Sequence, residues 1–403
     1  MHKSSTTRIH QTMSAVTENP PIACPPHDPA PLNNPAPLSG AKRQTADELL
    51  VNRRSLSDNQ RQELEQLAFD HACVPESYDI AVSDGHVLRT PCGRGAVSVL
   101  ADGRYWHIAG GLLAPEALKP KMIGWLRELS EKDRRTIAVY NVPLVDALRF
   151  QETGFVVNKF GEEAFLNPQD VDWSGKMFEW VRRQSNFCTR SDVVICEITD
   201  PEEQLSLGPA LLSIMSEDLS WRTLDKPLRL LEGEFKPHVL QRRRLFVAKR
   251  RHEDDIEAFL ACSPVAGGRG WAFETYRKRR NSTRGVTTFI FRTVIDQLRH
   301  EGVEYVSLCL IPGRNVKHST IGNGDWRIRT VLSIWFDRMD FVFNAKGQDH
   351  FKSRFRPEYA DRFLCVAPRN SITSLWSFLK TTGAMNCNWV NLAGLMCHSV
   401  FKR

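Results

Sequence analysis

The sequence lacks the cysteine pairings that hold metals. It has 10 cysteines, but none forms a C-x-x-C pair and no Cys/His group has zinc-ligand spacing. Several lie inside apolar runs, such as Cys309 in Val306-Ser307-Leu308-Cys309-Leu310, where cysteine behaves as a small hydrophobe. That usage fits a reducing compartment. No run of about 18 uninterrupted apolar residues occurs, so no membrane-spanning helix is expected. Met1-His2-Lys3-Ser4 leads into polar residues, without the apolar core of a secretion signal. Together these absences predict a cytoplasmic protein, at most resting on the inner face of a membrane. Walker and Rossmann glycine patterns are missing too.

What is present is globular in character. Hydrophobic residues make up 41% and charged residues 25% of the chain, enough for a real core, and 403 residues suffice for two domains. The net charge of +7 permits an acidic partner, RNA or an anionic membrane, without requiring one. Residues 1–44 are rich in proline, as in Asn19-Pro20-Pro21-Ile22-Ala23-Cys24-Pro25-Pro26, and read as a disordered tail. Order is expected from Thr45-Ala46-Asp47-Glu48, which resembles a helix start.

Strands and helices then alternate. Val97–Leu100 and Tyr105–Ile108 flank an Asp102-Gly103 turn, a hairpin signal. Pro115 opens a helix reaching Lys132, Ile137–Tyr140 is a strand, and Pro143 starts another helix before a strand at Phe155–Val157. Later, Ala258–Cys262 and Gly270–Glu274 read as strands, and Gly285 and Gly302 bracket a helix. A buried strand at Val303–Leu310, a helix over Trp326–Arg338, a strand at Phe341–Phe343 and a last strand at Arg362–Val366 follow. The class is α/β (α+β). Phe150, Phe155, Val156, Asn158 and Gly161 recur as Phe336, Phe341, Val342, Asn344 and Gly347 at a constant offset, which suggests two similarly built halves. The expected organisation is 45–200, then 201–370, then an apolar and aromatic tail over 371–403 that could lie at a membrane interface or pack on the core.

An acetyl-CoA enzyme needs a glycine-rich turn at a helix N-terminus to hold pyrophosphate. The corresponding turn, Asn281-Ser282-Thr283-Arg284-Gly285, has one glycine, which argues against that cofactor. Basic clusters at Gln241–Arg244, Lys249–His252 and Arg277–Arg280 with Arg284 suit a polyanion or a solvated face.

Three stretches carry a resemblance. They are Gly270–Arg277, then Arg284-Gly285-Val286, then Glu301–Leu308; the segment Phe351-Lys352-Ser353-Arg354-Phe355-Arg356-Pro357 closes the set, and Gly154–Ala164 agrees in the first half. From about Ala81 to Pro368 the chain resembles the phosphatidylglycerol lysyltransferase C-terminal domain family. The resemblance implies two tandem acetyltransferase-like (GNAT-like) domains with mixed central sheets. It also implies transfer of an aminoacyl group from aminoacyl-tRNA to a lipid hydroxyl. The ester on tRNA is already activated, so no metal or cofactor is needed, and the implied partners are aminoacyl-tRNA and an anionic membrane lipid. Transfer to an amine of a peptide or small molecule, and a non-catalytic RNA- or membrane-binding role, remain open. Thr287-Thr288 stands where the family pattern has an acidic residue, and Thr275-Tyr276 where it has Leu-Met.

Within this resemblance Lys352 is the first catalytic candidate, a cation to stabilise an oxyanion or grip the terminal phosphate of tRNA; a surface lysine is the plain alternative. Glu274 is the acid expected near the reacting centre, and His350 a candidate base. Arg277, Arg280, Arg284 and Arg354 could hold phosphate, with Arg277 alternatively pairing with Glu274. Glu162 and Glu163 could recognise the α-amino group or form an interdomain salt bridge. Asn344 is the last binding candidate.

Overall fold

The computed structural model describes residues 49–385 except 79, 81, 82, 84, 223, 225, 231–235, 237–241, 322, 323, 339–344 and 370. The proline-rich tail, the Thr45–Glu48 helix start, the Phe341–Phe343 strand, Asn344 and the tail beyond Met385 lie outside these residues.

One sheet of 12 strands organises the chain. The strands are β1 (Leu50–Asn52), β2 (His86–Arg89), β3 (Ala96–Asp102), β4 (Tyr105–Leu113), β5 (Thr136–Pro143), β6 (Val156–Leu166), β7 (Val193–Ile198), β8 (Arg244–Arg250), β9 (Ile256–Val265), β10 (Gly270–Lys278), β11 (Tyr305–Pro312) and β12 (Glu358–Ala367). Their spatial order is β1-β2-β3-β4-β5-β12-β6-β11-β10-β9-β8-β7. The order is palindromic about the β12–β6 pair: each half presents an antiparallel meander followed by one parallel pair, β4 with β5 and β10 with β11. Each half also completes itself with the other's strand, since β12 lies between β5 and β6, and β6 pairs β11. The sheet crosses the expected 200/201 joint through the β7–β8 pair.

The repeat is therefore real in topology, but its register differs from the constant offset seen in the sequence. β4 and β10 begin at 105 and 270, β5 and β11 at 136 and 305, β6 and β12 at 156 and 358; no single offset fits. Ala345–Gly347, expected as a turn matching Gly161, opens a helix. Phe341, Val342 and Asn344 of that alignment lie outside the described residues.

Helices cover both faces. On one face α2 (Lys119–Lys132) and α3 (Leu144–Glu152) bury Met122, Leu126 and Phe150 against Ile137, Val139 and Phe363. On the same face α4 (Glu179–Arg190) and α7 (Val286–His300) bury Val181, Ile290 and Val294. On the other lie α6 (Gly208–Ser220), α8 (Trp326–Arg338) and α10 (Ile372–Thr382). Helix α1 (Asp58–His71) carries a Ser57/Gln60 capping box, α5 is Pro201–Ser206, and α9 is Ala345–Ser353. The α2 and α7 helices, the Asp102-Gly103 hairpin and the Gly285 and Gly302 helix limits fall where the sequence predicts them.

Both parallel pairs open soon after they form. β4 and β5 pair from Tyr105/Thr136 to Ile108/Val139 only, and β10 and β11 from Gly270/Tyr305 to Ala272/Ser307 only. A 3-10 turn, Pro75–Tyr78, packs against β4, β9, β10 and β11. Gly110 makes that approach possible: a Cβ there would sit 2.8 Å from the Glu76 carbonyl oxygen, and its φ is +82°.

Candidate active site

Lys352 is placed by its neighbours. Phe351 and Phe355 lie one turn apart and dock α9 on Phe291, with ring centroids at 5.3 and 5.5 Å. This turns Lys352 inward, to 2% exposure, which excludes a surface lysine. Its Nζ donates to the carbonyls of Cys309 and Leu310, both at 3.1 Å. β11 slips its register with β6 between Ser307 and Leu310, and Cys309 has φ +70°, so the strand bulges where these carbonyls lie. Burial lowers the Lys352 pKa, against the opposing fields of Cys309, Glu76, Glu163 and Asp349. The ammonium thus has three donors, two partners and, among the described residues, no ion pair.

Carboxylates surround this bulge. Glu163 accepts from Tyr305 Oη at 2.5 Å, from Ser307 Oγ, and from Arg362, whose Nε lies at 2.7 Å. Glu162 holds Lys159 at 2.7 Å and Asn315 at 2.8 Å and also pairs with Arg314. Both glutamates on β6 therefore join the halves through salt bridges. Glu274 pairs with Arg243 at 2.8 Å and accepts from Ser263 Oγ, while its Oε1 is buried without a hydrogen-bond partner. Glu76 is the residue that sequence reasoning missed. Buried on the 3-10 turn, it accepts from Asn141 Nδ2. Burial, reinforced by Glu163 and Glu274, pushes its pKa up to about 8, its own backbone hydrogen bond and the Asn141 contact opposing. Burial pushes the Cys309 thiol up; the field of Lys352 opposes this, and those of Glu76, Glu274 and Glu163 reinforce it, so all four groups lie within electrostatic reach of the β11 bulge.

Other candidates fall elsewhere. Arg277 pairs with Asp218 at 3.6 Å, not with Glu274, because Arg243 already occupies Glu274. His350 is exposed and shares a 2.9 Å hydrogen bond with Arg354, which lies 5.5 Å from the Trp180 ring centroid. Arg280 and Arg284 are exposed on the loop before α7. That loop's amides are engaged: Arg280 N–H donates to Glu217 and Thr283 N–H to Glu257, both at 2.8 Å. A Cβ at Gly285 would meet Gln184 Oε1 at 2.7 Å, so α4 closes over the start of α7. A pyrophosphate here would face two carboxylates and few free amides. No His/Cys/Asp/Glu group among the described residues could hold a metal ion.

Known proteins share this architecture. The family model described as phosphatidylglycerol lysyltransferase, C-terminal, matches residues 67–366. The phosphatidylglycerol lysyltransferase of Bacillus subtilis (strain 168) is 22% identical over 246 residues, 61% of this chain and 28% of that protein. The lysylphosphatidylglycerol biosynthesis bifunctional protein LysX of Rhodococcus opacus (strain B4) is 22% identical over 291 residues, 70% of this chain and 25% of that protein. The chain thus matches about a quarter of the length of these relatives. Among solved structures, the C-terminal domain (DUF2156) of an Agrobacterium fabrum protein superposes with a TM-score of 0.67 at 18% identity, covering 80% of this chain and 95% of that one. L-PGS from Bacillus licheniformis gives 0.65 at 18%, with the same coverage. With the family pattern spanning both halves of the palindromic sheet, the chain belongs to the phosphatidylglycerol lysyltransferase C-terminal domain family.

Proposed function

We propose that this domain transfers an aminoacyl group from aminoacyl-tRNA to the hydroxyl of a membrane lipid. The observation that carries the reading is the buried Lys352 ammonium, held at the β11 bulge with a donor to spare beside a carboxyl of raised pKa. The acceptor oxygen attacks the ester carbonyl, charge builds on the carbonyl oxygen, and the tRNA ribose hydroxyl leaves. Lys352 supplies the cation for that oxyanion. Glu76, poised near neutrality, takes the acceptor's proton and returns it to the departing ribose oxygen. The unpartnered Oε1 of Glu274 is an acceptor for the α-amino group or the incoming hydroxyl. The donor ester is already activated, so the reaction needs no cofactor, metal or ATP.

Family membership and the Bacillus and Rhodococcus relatives support the lipid acceptor. The carboxylates seated on the loop before α7 favour a donor other than coenzyme A. Such a protein works at the inner face of a membrane, as a peripheral domain; no described helix is long and apolar enough to cross one.

The test is turnover. Purified protein, charged tRNA carrying a radiolabelled amino acid and a lipid extract should yield labelled lipid by thin-layer chromatography and mass spectrometry. If no charged tRNA is discharged in the presence of lipid, the reading is wrong; label from acetyl-CoA in its place would also overturn it.

A further inference from the structure

The face of the molecule carrying α8 and α10 exposes more apolar surface than its neighbours explain. Trp326 is 64% exposed, Ile334 47%, Ile372 63% and Trp376 58%. Trp326, Thr330 and Ile334 follow one side of α8; Ile372, Trp376 and Lys380 follow one side of α10. The inward sides of both helices share one core: Ile328 and Leu332 of α8 and Leu375 and Phe378 of α10 close over Tyr140, Phe160 and Leu364. Helix α8 lies over β6 and α10 over β3 and β4. In the sheet order only β5 and β12 separate those strands, so the helices are neighbours and their apolar sides look outward together. Helix α10 is fixed there by Ser377 on His107 at 3.0 Å and on Asp102 at 2.8 Å, and by Phe378 stacked 3.9 Å from Tyr140.

Positive charge accompanies the tryptophans. Arg327 and Arg329 are exposed and neither guanidinium pairs with a carboxylate among the described residues, although the Arg327 backbone N–H donates to Asp325 Oδ1 at 2.8 Å; the Arg327 guanidinium lies 5.7 Å from the Trp326 ring centroid. Beside them an open groove of about 640 Å3 is lined by Lys317, Trp326, Arg329, Ile334 and Asp337. The face also adjoins the reacting centre. A Cβ on Gly313, just past the β11 carbonyls that hold Lys352, would meet Phe336 Cβ of α8 at 2.7 Å, and Lys346 of α9 donates to the Asp337 carbonyl at 2.7 Å.

Exposed tryptophans on two neighbouring helices, with arginines beside one of them and Lys380 along the other, are the composition of a surface that lies at headgroup depth on an anionic bilayer. We propose that the outer sides of α8 and α10 form the membrane-docking face, which presents the lipid headgroup to the end of β11. The inference deepens the lipid-acceptor reading, but its geometry stands without any assumption about the donor.

The experiment measures binding without turnover. The full chain, with no RNA present, is sedimented with vesicles of phosphatidylglycerol and phosphatidylcholine, and with vesicles of phosphatidylcholine alone. We expect binding to the anionic vesicles and a blue shift of tryptophan fluorescence, both weakened by salt. Trp326→Ala with Trp376→Ala removes the blue shift, and Arg327→Glu with Arg329→Glu weakens binding at least about tenfold. All four positions are exposed, so thermal melting should be unchanged. Anionic-vesicle binding equal in the native protein and both variants overturns the proposal. So does a dimer of the native chain that the tryptophan variant dissolves, since the face then serves a second copy. Vesicle binding with no aminoacyl transfer sinks the catalytic reading alone; transfer to vesicle lipid that neither variant slows sinks the docking face alone.

Discussion

Lys352 and Glu76 form an unusual pair: among the described residues, a buried cation with no ion pair and a buried carboxyl with no cation bonded to it. Such groups cost stability, and folds retain them at functional sites. Lys352→Ala should abolish transfer, and Lys352→Met, which keeps the aliphatic stem, should abolish it too while melting within a few degrees of the native chain. Single-turnover discharge of charged tRNA reads the first effect and thermal melting the second; a folded Lys352→Met variant turning over at the native rate removes Lys352 from the site. Glu76 gives a pH signature. Its folded pKa, about 8, stands above the ordinary 4.5. The native state therefore binds a proton that the unfolded chain has lost between those values, and stability contributed by Glu76 falls as pH rises through that window. Glu76→Gln abolishes the titration, so its melting temperature relative to native should rise from pH 5 to pH 8. An equal difference at both pH values would show that Glu76 is not buried as described.

At the level of elements, what the sequence revealed was local. The Asp102-Gly103 hairpin and the Gly285 and Gly302 limits of α7 depend on residues close in the chain, and propensity reads such features. The Phe351–Pro357 segment likewise pointed to Lys352, because Phe351 and Lys352 share one short helix and Phe355 follows it within a few residues. Glu76 was illegible: its burial depends on Gly110 and on strands β9 to β11, far along the chain. The pairing of Arg243 with Glu274 was hidden for the same reason, and Arg243 read as part of a surface cluster. Gly161 shows how a non-local constraint sits on one residue. A Cβ there would run into Ile311 O and meet Pro312 Cα at 3.0 Å, across the β6–β11 ladder. Gly161→Ala should therefore destabilise by about 1–3 kcal/mol. Gly124, inside α2 with nothing near its missing Cβ, should gain roughly 0.5–1 kcal/mol as alanine. Chemical denaturation of both variants checks the contrast, and equal shifts would refute the close approach at Gly161.

The palindromic order makes the whole molecule one cooperative object, although its chain reads as two halves. A cut between residues 200 and 201 leaves β5 and β6 without β12, β11 without β6, and β8 without β7. It also parts the buried Glu163–Arg362 pair and separates buried Lys159 from half-buried Asp361, stranding charges whose burial is tolerable only when paired. Exposed ladder edges at the centre of a sheet invite aggregation. Residues 49–200 and 201–385 expressed separately should thus be insoluble or lack a cooperative melting transition. Expressed together from two messages, they should assemble one to one and melt in a single transition. The proposed active centre makes the same demand, since Glu76 comes from one half and Lys352, Glu274 and Cys309 from the other. Mixed fragments should regain transfer only when both are present from the start of folding. A cooperative transition in either fragment alone would mean that the exchanged strands are an accessory to two self-sufficient domains. Its absence would make the strand exchange the reason that both halves of this chain must be inherited together.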